Sequence, residues 1–165
     1  MMRKHVLIVD DDAALLSLLK MRLKKTGHTV DTAETGWDGL SKLEHANYDV
    51  VLLDSMMPGL TGLTVLQHIQ ARRPTIPVVM MTGHTSSQVV AQALAGGARA
   101  CLVKPVDPVE LDQALRCWVR TASSELSQQA TRNEIETNEP RGGSMSISFA
   151  NCRETKTNQG LRRDQ

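Results

Sequence analysis

Short aliphatic runs alternate with segments of helical periodicity along the first 120 residues. This alternation predicts five strands, each followed by a helix. Gly27 after the first helix and the Asp107–Pro108 pair before the last one are typical helix boundaries. The predicted strands span residues 5–9, 28–33, 49–53, 77–81 and 100–103, and the predicted helices span residues 13–25, 35–45, 62–72, 86–95 and 108–120.

Four of the five predicted strands are aliphatic without polar alternation, as is expected of strands covered on both faces in a parallel sheet. The second strand, residues 28–33, alternates apolar and polar positions and suits the edge of a sheet. Repeated strand–helix units predict a doubly wound α/β fold of the flavodoxin-like type. The strand order 2-1-3-4-5 places the alternating second strand at the edge, so we expect a five-stranded parallel sheet in that order.

Composition changes near residue 121, which divides the chain into a domain of residues 1–120 and a tail of residues 121–165. The tail is rich in Ser, Thr, Asn, Gln, Glu and Arg and has few bulky apolar residues. A segment with so little apolar surface cannot easily offset the entropy lost on ordering. We therefore expect the tail to be mostly disordered.

The overall composition excludes several classes of function. The net charge of +1 and an aromatic content of 2% give no indication of direct nucleic-acid binding. No apolar stretch approaches the roughly 20 residues of a membrane span, and Val6–Val9 is too short for a signal-peptide core. The three cysteines form no CxxC pair, so neither a disulfide framework nor a zinc site is expected. These features predict a cytoplasmic protein that makes no membrane contact.

Reactive polar residues stand at the ends of the four aliphatic strands. They are Asp10, Asp11 and Asp12 after the first strand, Asp54 after the third, Thr82 after the fourth and Lys104 after the fifth. The carboxyl ends of parallel strands lie at one edge of the sheet, so these residues should converge. Lys104 stands two strands from Asp54, roughly 10 Å at the usual strand spacing, a gap that a lysine and an aspartate side chain can close together.

Three carboxylates at one edge repel one another, and the single charge of Lys104 does not neutralise them. Carboxylate oxygens favour a hard cation such as Mg²⁺, which binds one or two carboxylates together with waters and phosphate oxygens. Acids, one lysine, one hydroxyl and a magnesium ion suit phosphoryl transfer, in which the protein positions the group and neutralises its charge. A carboxylate nucleophile in such a site forms an aspartyl phosphate.

Four sequence blocks carry a family resemblance. They are Val-Asp-Asp-Asp at 9–12, Leu-Asp-Ser-Met-Met-Pro-Gly at 53–59, Met-Thr-Gly at 81–83 and Val-Lys-Pro at 103–105. In this order and spacing they resemble the receiver domain of two-component response regulators, the superfamily of chemotaxis-type regulators. The resemblance covers residue 4 to about residue 120.

The resemblance implies a role for each site residue. Asp54 is the phosphoacceptor, Mg²⁺ is held by Asp10, Asp11, Asp54 and the backbone carbonyl of Met56, the phosphoryl oxygens are bound by Thr82 and Lys104, and the peptide bond before Pro105 is cis. The implied donor is the phosphohistidine of a sensor histidine kinase or a phosphotransfer protein. The chain is then a phosphoacceptor that loses its phosphoryl group by autodephosphorylation, and not an enzyme with a separate substrate.

Three residues of this region need separate interpretation. Asp12 is better placed to cap the first helix than to bind metal. His84, two residues after Thr82, is expected at the rim of the site, where it could tune water access. Cys101 stands where the family has an aromatic switch residue, and this departure predicts weaker or different coupling between phosphorylation and the surface of the fourth helix, fifth strand and fifth helix.

Two rival functions share the predicted topology. A flavin or nucleotide binder needs a Gly- or hydroxyl-rich phosphate loop after the first strand, where this chain has three aspartates. An aspartate-based phosphatase carries its nucleophile in a DxD motif on the first strand, whereas the lone Asp54 follows the third strand. Among receivers, we favour a stand-alone regulator that contacts a downstream protein or forms a homodimer. The alternative is the receiver part of a truncated DNA-binding transcriptional regulator.

Overall fold

The computed structural model describes residues 3–83, 87–117 and 148–149 of the chain. The strands are β1 (His5–Val9), β2 (Thr29–Ala33), β3 (Val50–Asp54), β4 (Val78–Thr82), β5 (Ala100–Val103) and β6 (Ser148–Phe149). The helices are α1 (Ala13–Lys25), α2 (Gly36–His45), α3 (Gly62–Arg72), α4 (Ser87–Ala95) and α5 (Pro108–Cys117). The first ten of these elements alternate strand and helix along the chain, as predicted.

The six strands form one sheet in the order β2-β1-β3-β4-β5-β6. The first five are parallel, which confirms the doubly wound fold and the order 2-1-3-4-5. The sheet has one strand more than predicted, because β6 pairs antiparallel with β5. That pairing is a contact between distant parts of the chain, which the overall polarity of residues 121–165 does not reveal. The prediction of a helix over residues 118–120 lies outside the described residues, as does the prediction of disorder for the tail apart from Ser148 and Phe149, which form β6.

Both faces of the sheet are buried by helices. Alternate residues of each central strand face opposite sides, so the aliphatic runs supply two separate cores. Leu7, Leu53 and Met80 pack with Leu66 of α3 and Ala93 of α4 on one side, and Ile8, Leu52 and Met81 pack with Leu19 of α1 and Leu111 of α5 on the other. None of the helices in the described part of the chain is both long and apolar enough to cross a bilayer.

Helix α1, which follows the first site strand β1, begins at a capping side chain. The Asp12 carboxylate accepts hydrogen bonds from the backbone N–H groups of Ala14, at 2.9 Å, and Leu15, at 3.1 Å. This confirms the interpretation of Asp12 as the cap of α1. Two strands end one residue later than predicted, since the hydrogen-bonded ladder continues past the last aliphatic residue to Asp54 in β3 and Thr82 in β4.

Candidate functional site

The polar residues at the strand ends lie along one edge of the sheet. Asp10 follows β1, Asp54 ends β3, Thr82 ends β4 and Lys104 follows β5. These four strands are neighbours in the sheet and run in the same direction. Their carboxyl ends therefore share one edge, the place where ligands bind in open α/β sheets.

The Lys104 ammonium bridges two carboxylates in this cluster. Its Nζ lies 2.7 Å from Asp10 Oδ2 and 3.0 Å from Asp54 Oδ1. The side chains of Asp10 and Asp54 are 0% and 4% exposed, and that of Lys104 is 23% exposed. The long lysine stem carries its charge from the end of β5 to the ends of β1 and β3. One cation is thus shared by two buried anions.

The three consecutive aspartates have three different surroundings. Asp10 is fully buried, and its Oδ1 accepts a hydrogen bond from the Asp12 N–H at 3.0 Å. Asp11 is exposed, and the Asp12 carboxylate caps α1. The turn between β1 and α1 therefore directs one carboxylate into the pocket, one toward its mouth and one to the helix end.

Gly62 allows the start of α3 to lie against Asp54. Its N–H donates to the Ser55 carbonyl at 3.2 Å. A Cβ at this position would lie 2.0 Å from the backbone carbonyl oxygen of Asp54 and 2.8 Å from the Ser55 Cα, both on rigid backbone. Any larger residue must push α3 away from the end of β3. The importance of Gly62 was not predicted from the sequence, in which the available signal was a glycine at the first position of a predicted helix.

The pocket does not favour a charged Asp54. Burial is the largest influence and raises the pKa of Asp54, and the nearby Asp10 charge raises it further. Hydrogen bonds from Lys104 and from the Met56 N–H act in the opposite direction but are outweighed. Burial lowers the pKa of Lys104, yet its contacts with Asp10 and Asp54 outweigh this and raise that pKa. The lysine therefore stays charged while the carboxylates remain incompletely neutralised.

The donor set fits a hard divalent cation. Asp10, Asp11 and Asp54 each offer a carboxylate oxygen, and these oxygens lie within 4.8 Å of one another. Asp10 Oδ2 is buried and forms an ion pair with Lys104 Nζ at 2.7 Å, which uses only part of the capacity of a carboxylate oxygen. This oxygen thus keeps capacity to bind a cation. All-oxygen ligands that carry surplus negative charge are the chemistry that Mg²⁺ prefers.

The structure describes three further predicted features of the site, at Thr82, Pro105 and Cys101. Thr82 is fully buried at the end of β4, and its carbonyl accepts a hydrogen bond from the Lys104 N–H at 2.7 Å. The Lys104–Pro105 peptide bond is cis. Cys101 is buried in β5, and burial raises the pKa of its thiol, which therefore stays neutral. The rim residue His84 lies outside the described residues.

Comparison with curated proteins identifies relatives among transcriptional regulators. The chain is 36% identical over 118 residues to the transcriptional regulatory protein ResD of Bacillus subtilis, and 38% identical over 140 residues to the DNA-binding transcriptional regulator NtrC of Salmonella typhimurium. The alignments cover 72% and 85% of this chain but 49% and 29% of those proteins. The chain thus spans half or less of the length of these relatives.

Solved structures show the same fold. A CheY-like receiver domain protein from Methanospirillum hungatei superposes with a TM-score of 0.66 at 34% identity, covering 70% of this chain and 92% of that one. The response regulator TrrA of Thermotoga maritima, crystallised with Mg²⁺ and BeF, gives 0.65 at 30% identity and covers 72% and 100%. Residues 6–116 match the family described as the response regulator receiver domain. The chain therefore belongs to the receiver domain family of two-component response regulators.

Proposed function

We propose that this chain is a Mg²⁺-dependent phosphoacceptor of a cytoplasmic phosphorelay and that Asp54 is the residue phosphorylated. The observation that carries the proposal is the contact of one ammonium group, Lys104 Nζ, with both Asp54 and Asp10. It gathers a candidate nucleophile, a candidate metal ligand and a fixed positive charge from three different strands. Phosphoryl transfer to a carboxylate needs such a combination.

In the proposed reaction an Asp54 carboxylate oxygen attacks the phosphorus of a phosphohistidine on a sensor histidine kinase or phosphotransfer protein. The new P–O bond forms as the P–N bond breaks, and the imidazole leaves with the bonding electron pair and takes up a proton. Asp54 must be ionised to attack. Because burial disfavours that ionised form, positive charge beside it is part of the mechanism.

The surrounding residues position the group and balance its charge. Asp10, Asp11, Asp54 and the Met56 carbonyl would hold Mg²⁺, which when bound neutralises charge on the carboxylates and the phosphoryl oxygens. Lys104 shares its ammonium with the phosphoryl oxygens, and the Thr82 hydroxyl donates to them. Hydrolysis of the aspartyl phosphate then returns the carboxylate, with His84 tuning water access at the rim.

Incubation with acetyl phosphate and Mg²⁺ tests the proposal, with intact mass and peptide mapping as the readout. We expect a single addition of about 80 Da, the mass of a phosphoryl group, on Asp54. The Asp54→Asn variant should gain nothing, and removal of Mg²⁺ with EDTA should prevent labelling of the parent protein. Asp38→Asn, which alters an exposed carboxylate in α2, is the matched control and should label normally.

The same assay distinguishes the rival functions. A phosphatase would release phosphate in many turnovers without stable labelling, and a flavodoxin-like binder would neither label nor turn over. Labelling of Asp54→Asn to the same extent as the parent protein would contradict the assignment of the phosphoacceptor.

For the output, we favour a stand-alone regulator that acts by phosphorylation-dependent contact with a downstream protein or a second copy. The second candidate is the receiver part of a DNA-binding transcriptional regulator, which the similarity to ResD and NtrC supports. Capture of partners on the immobilised, acetyl-phosphate-treated chain, with Asp54→Asn as the control bait, discriminates between them. Retention of a different protein by the phosphorylated bait supports the stand-alone regulator, whereas retention of nothing but a second copy favours the transcriptional receiver.

A further inference from the structure

The two edges of the parallel sheet are protected differently. At one edge of the sheet lies β2, whose polar residues Thr29, Asp31 and Thr32 are exposed or partly exposed. At the other, β5 is apolar, and Ala100, Cys101 and Leu102 are all buried. An apolar edge strand with unpaired backbone groups readily pairs with another chain, and natural proteins usually block such an edge with charge, with proline or with a covering segment. In this chain β6 pairs with that edge.

The backbone register places the covering segment against the middle of β5. Phe149 pairs with Ala100 and Ser148 pairs with Cys101. The Lys104 N–H donates to β4, at the Thr82 carbonyl. Because successive N–H groups of a strand point to opposite edges, the Leu102 N–H shares the direction of Lys104, and the Cys101 N–H points to the edge where β6 lies.

The sequence around β6 supports a strand independently of the pairing. Residues 144–149 alternate strictly between serine and apolar residues, reading Ser-Met-Ser-Ile-Ser-Phe. Strict alternation over this length is a strand signal. It is confined to this part of a tail that is otherwise polar, and it contains the only phenylalanine of the chain. A disordered polar tail has no reason to carry such a pattern.

We propose that β6 is a docked strand with which the chain caps its own β5 edge. Residues 118–147 join it to α5, and a chain of about 30 residues spans on the order of 30 Å even as a random coil. Such a tether gives an effective concentration in the millimolar range, well above ordinary protein concentrations. The segment of the same molecule therefore outcompetes a second copy.

Self-capping gives the tail a regulatory role. α4 and α5 pack against β5, so the docked strand occupies the sheet edge between these two helices. A protein or second copy that adds a strand to this edge must first displace β6. This docking is separate from phosphorylation chemistry and does not depend on the function proposed for Asp54.

Amide hydrogen exchange of the full chain, measured by NMR, tests the docking. The Cys101 N–H should be protected in the unmodified protein. Phe149→Asp places a charge in the alternating segment and should lower protection of the Cys101 N–H by about tenfold or more. The N–H groups of Leu102 and Lys104 face β4 and serve as internal references whose protection should not change.

Two further variants provide matched controls. Phe149→Leu keeps the apolar residue and should preserve protection at Cys101, while Asn151→Asp adds the same charge just beyond the alternating segment and should have little effect. Full exposure of the Cys101 N–H in the unmodified chain, or unchanged protection in Phe149→Asp, would overturn the proposal.

Dilution distinguishes the chain's own strand from that of a second copy. Self-capping predicts protection that does not change with protein concentration. Protection that falls on dilution together with a dimer seen by sedimentation would show that a second copy supplies the strand, and would overturn self-capping. Labelling of Asp54 by acetyl phosphate in the same samples reports separately on the proposed phosphoacceptor function.

Discussion

Asp54 and Asp31 belong to the same sheet but have opposite electrostatic surroundings. Asp54 is buried at the carboxyl edge beside a second buried carboxylate, and its pKa is raised. Asp31 lies on the edge strand β2 with a side chain that is 45% exposed. Burial raises the pKa of Asp31 too, but there the hydrogen bonds of His5 and Tyr48 outweigh it and the net pKa is lowered.

The Asp31 carboxylate has two side-chain partners, His5 and Tyr48. Its Oδ2 lies 2.8 Å from His5 Nε2 and accepts a hydrogen bond from the Tyr48 hydroxyl at 3.0 Å. The two rings pack with centroids 4.4 Å apart, and burial together with Asp31 raises the pKa of Tyr48 to about 12. Asp31 has two protein partners of its own, whereas Asp54 shares one ammonium group with a second buried carboxylate. The first arrangement stabilises the fold, and the second suits binding and reaction.

Lys104→Met should have the largest effect on stability. The variant leaves Asp10 and Asp54 buried without their shared cation, and removal of one partner of a buried ion pair costs about 3–5 kcal/mol. Urea unfolding at neutral pH without Mg²⁺ measures the loss, and added Mg²⁺ should restore part of it. Arg72→Met is the control, since Arg72 pairs with Glu44 and both side chains are exposed, where such a pair contributes about 0.5 kcal/mol. Equal losses in the two variants would contradict the buried role of Lys104.

Gly62→Ala should have the second-largest effect on stability. The added Cβ collides with the Asp54 carbonyl, and overpacking of this kind costs about 1–3 kcal/mol. Labelling by acetyl phosphate should also slow, because the end of β3 is displaced. Gly83→Ala is the stability control, since its Cβ meets nothing within 4 Å. If Gly62→Ala unfolds at the same urea concentration as the control, α3 does not approach β3 as closely as described.

Tyr48→Phe should have a smaller effect on stability, which is confined to the contacts of Asp31. It removes one hydrogen bond to Asp31 while keeping the ring, at a cost of about 0.5–1.5 kcal/mol. A lowered carboxyl pKa contributes stability that is present above the ordinary carboxyl pKa and is lost as the pH falls through the folded-state value. The difference in the free energy of unfolding between the parent protein and the variant should therefore be fully present at neutral pH and disappear below pH 4. A difference that is unchanged at low pH would contradict its origin in the ionised Asp31.

The smallest expected effect concerns Cys101. The resemblance implies Tyr or Phe at this position in the family, and the side chain of Cys101 is much smaller. We therefore expect phosphorylation to shift the NMR signals of residues 87–117 less than in receivers with the aromatic residue. Chemical-shift differences before and after acetyl phosphate treatment measure this. Shifts as large as in those relatives would show that coupling does not require the aromatic ring.

The elements and the central site residues follow from the sequence because local rules determine them. Aliphatic runs bounded by helix signals located β1, β3, β4 and β5, and parallel pairing then brought Asp10, Asp54 and Lys104 to one edge. Asp12 could be assigned to the helix end because the cap is formed by residues two and three positions away. These inferences need only strand direction and short-range spacing.

Other features depend on contacts between distant residues that carry no local signal. Asp31 meets His5 across 26 residues and Tyr48 across 17, and no spacing rule connects them. The need for Gly62 arises from the path of the loop before α3, which sequence periodicity does not describe. The pairing of β6 was not predicted, because the alternation around Ser148 and Phe149 indicates a strand but not its partner β5, which is more than 40 residues away.

The comparison of the two aspartates is tested most directly by following their side-chain carboxyl carbons in one NMR pH titration, with and without Mg²⁺. Without Mg²⁺, Asp54 should titrate above the ordinary carboxyl pKa of about 3.9 and Asp31 below it. Saturating Mg²⁺ should lower the pKa of Asp54 and leave that of Asp31 unchanged. The account is contradicted if Asp54 titrates at or below the ordinary value without Mg²⁺, or if Mg²⁺ does not change its pKa. In either case the strand ends do not form a cation-binding pocket with surplus negative charge.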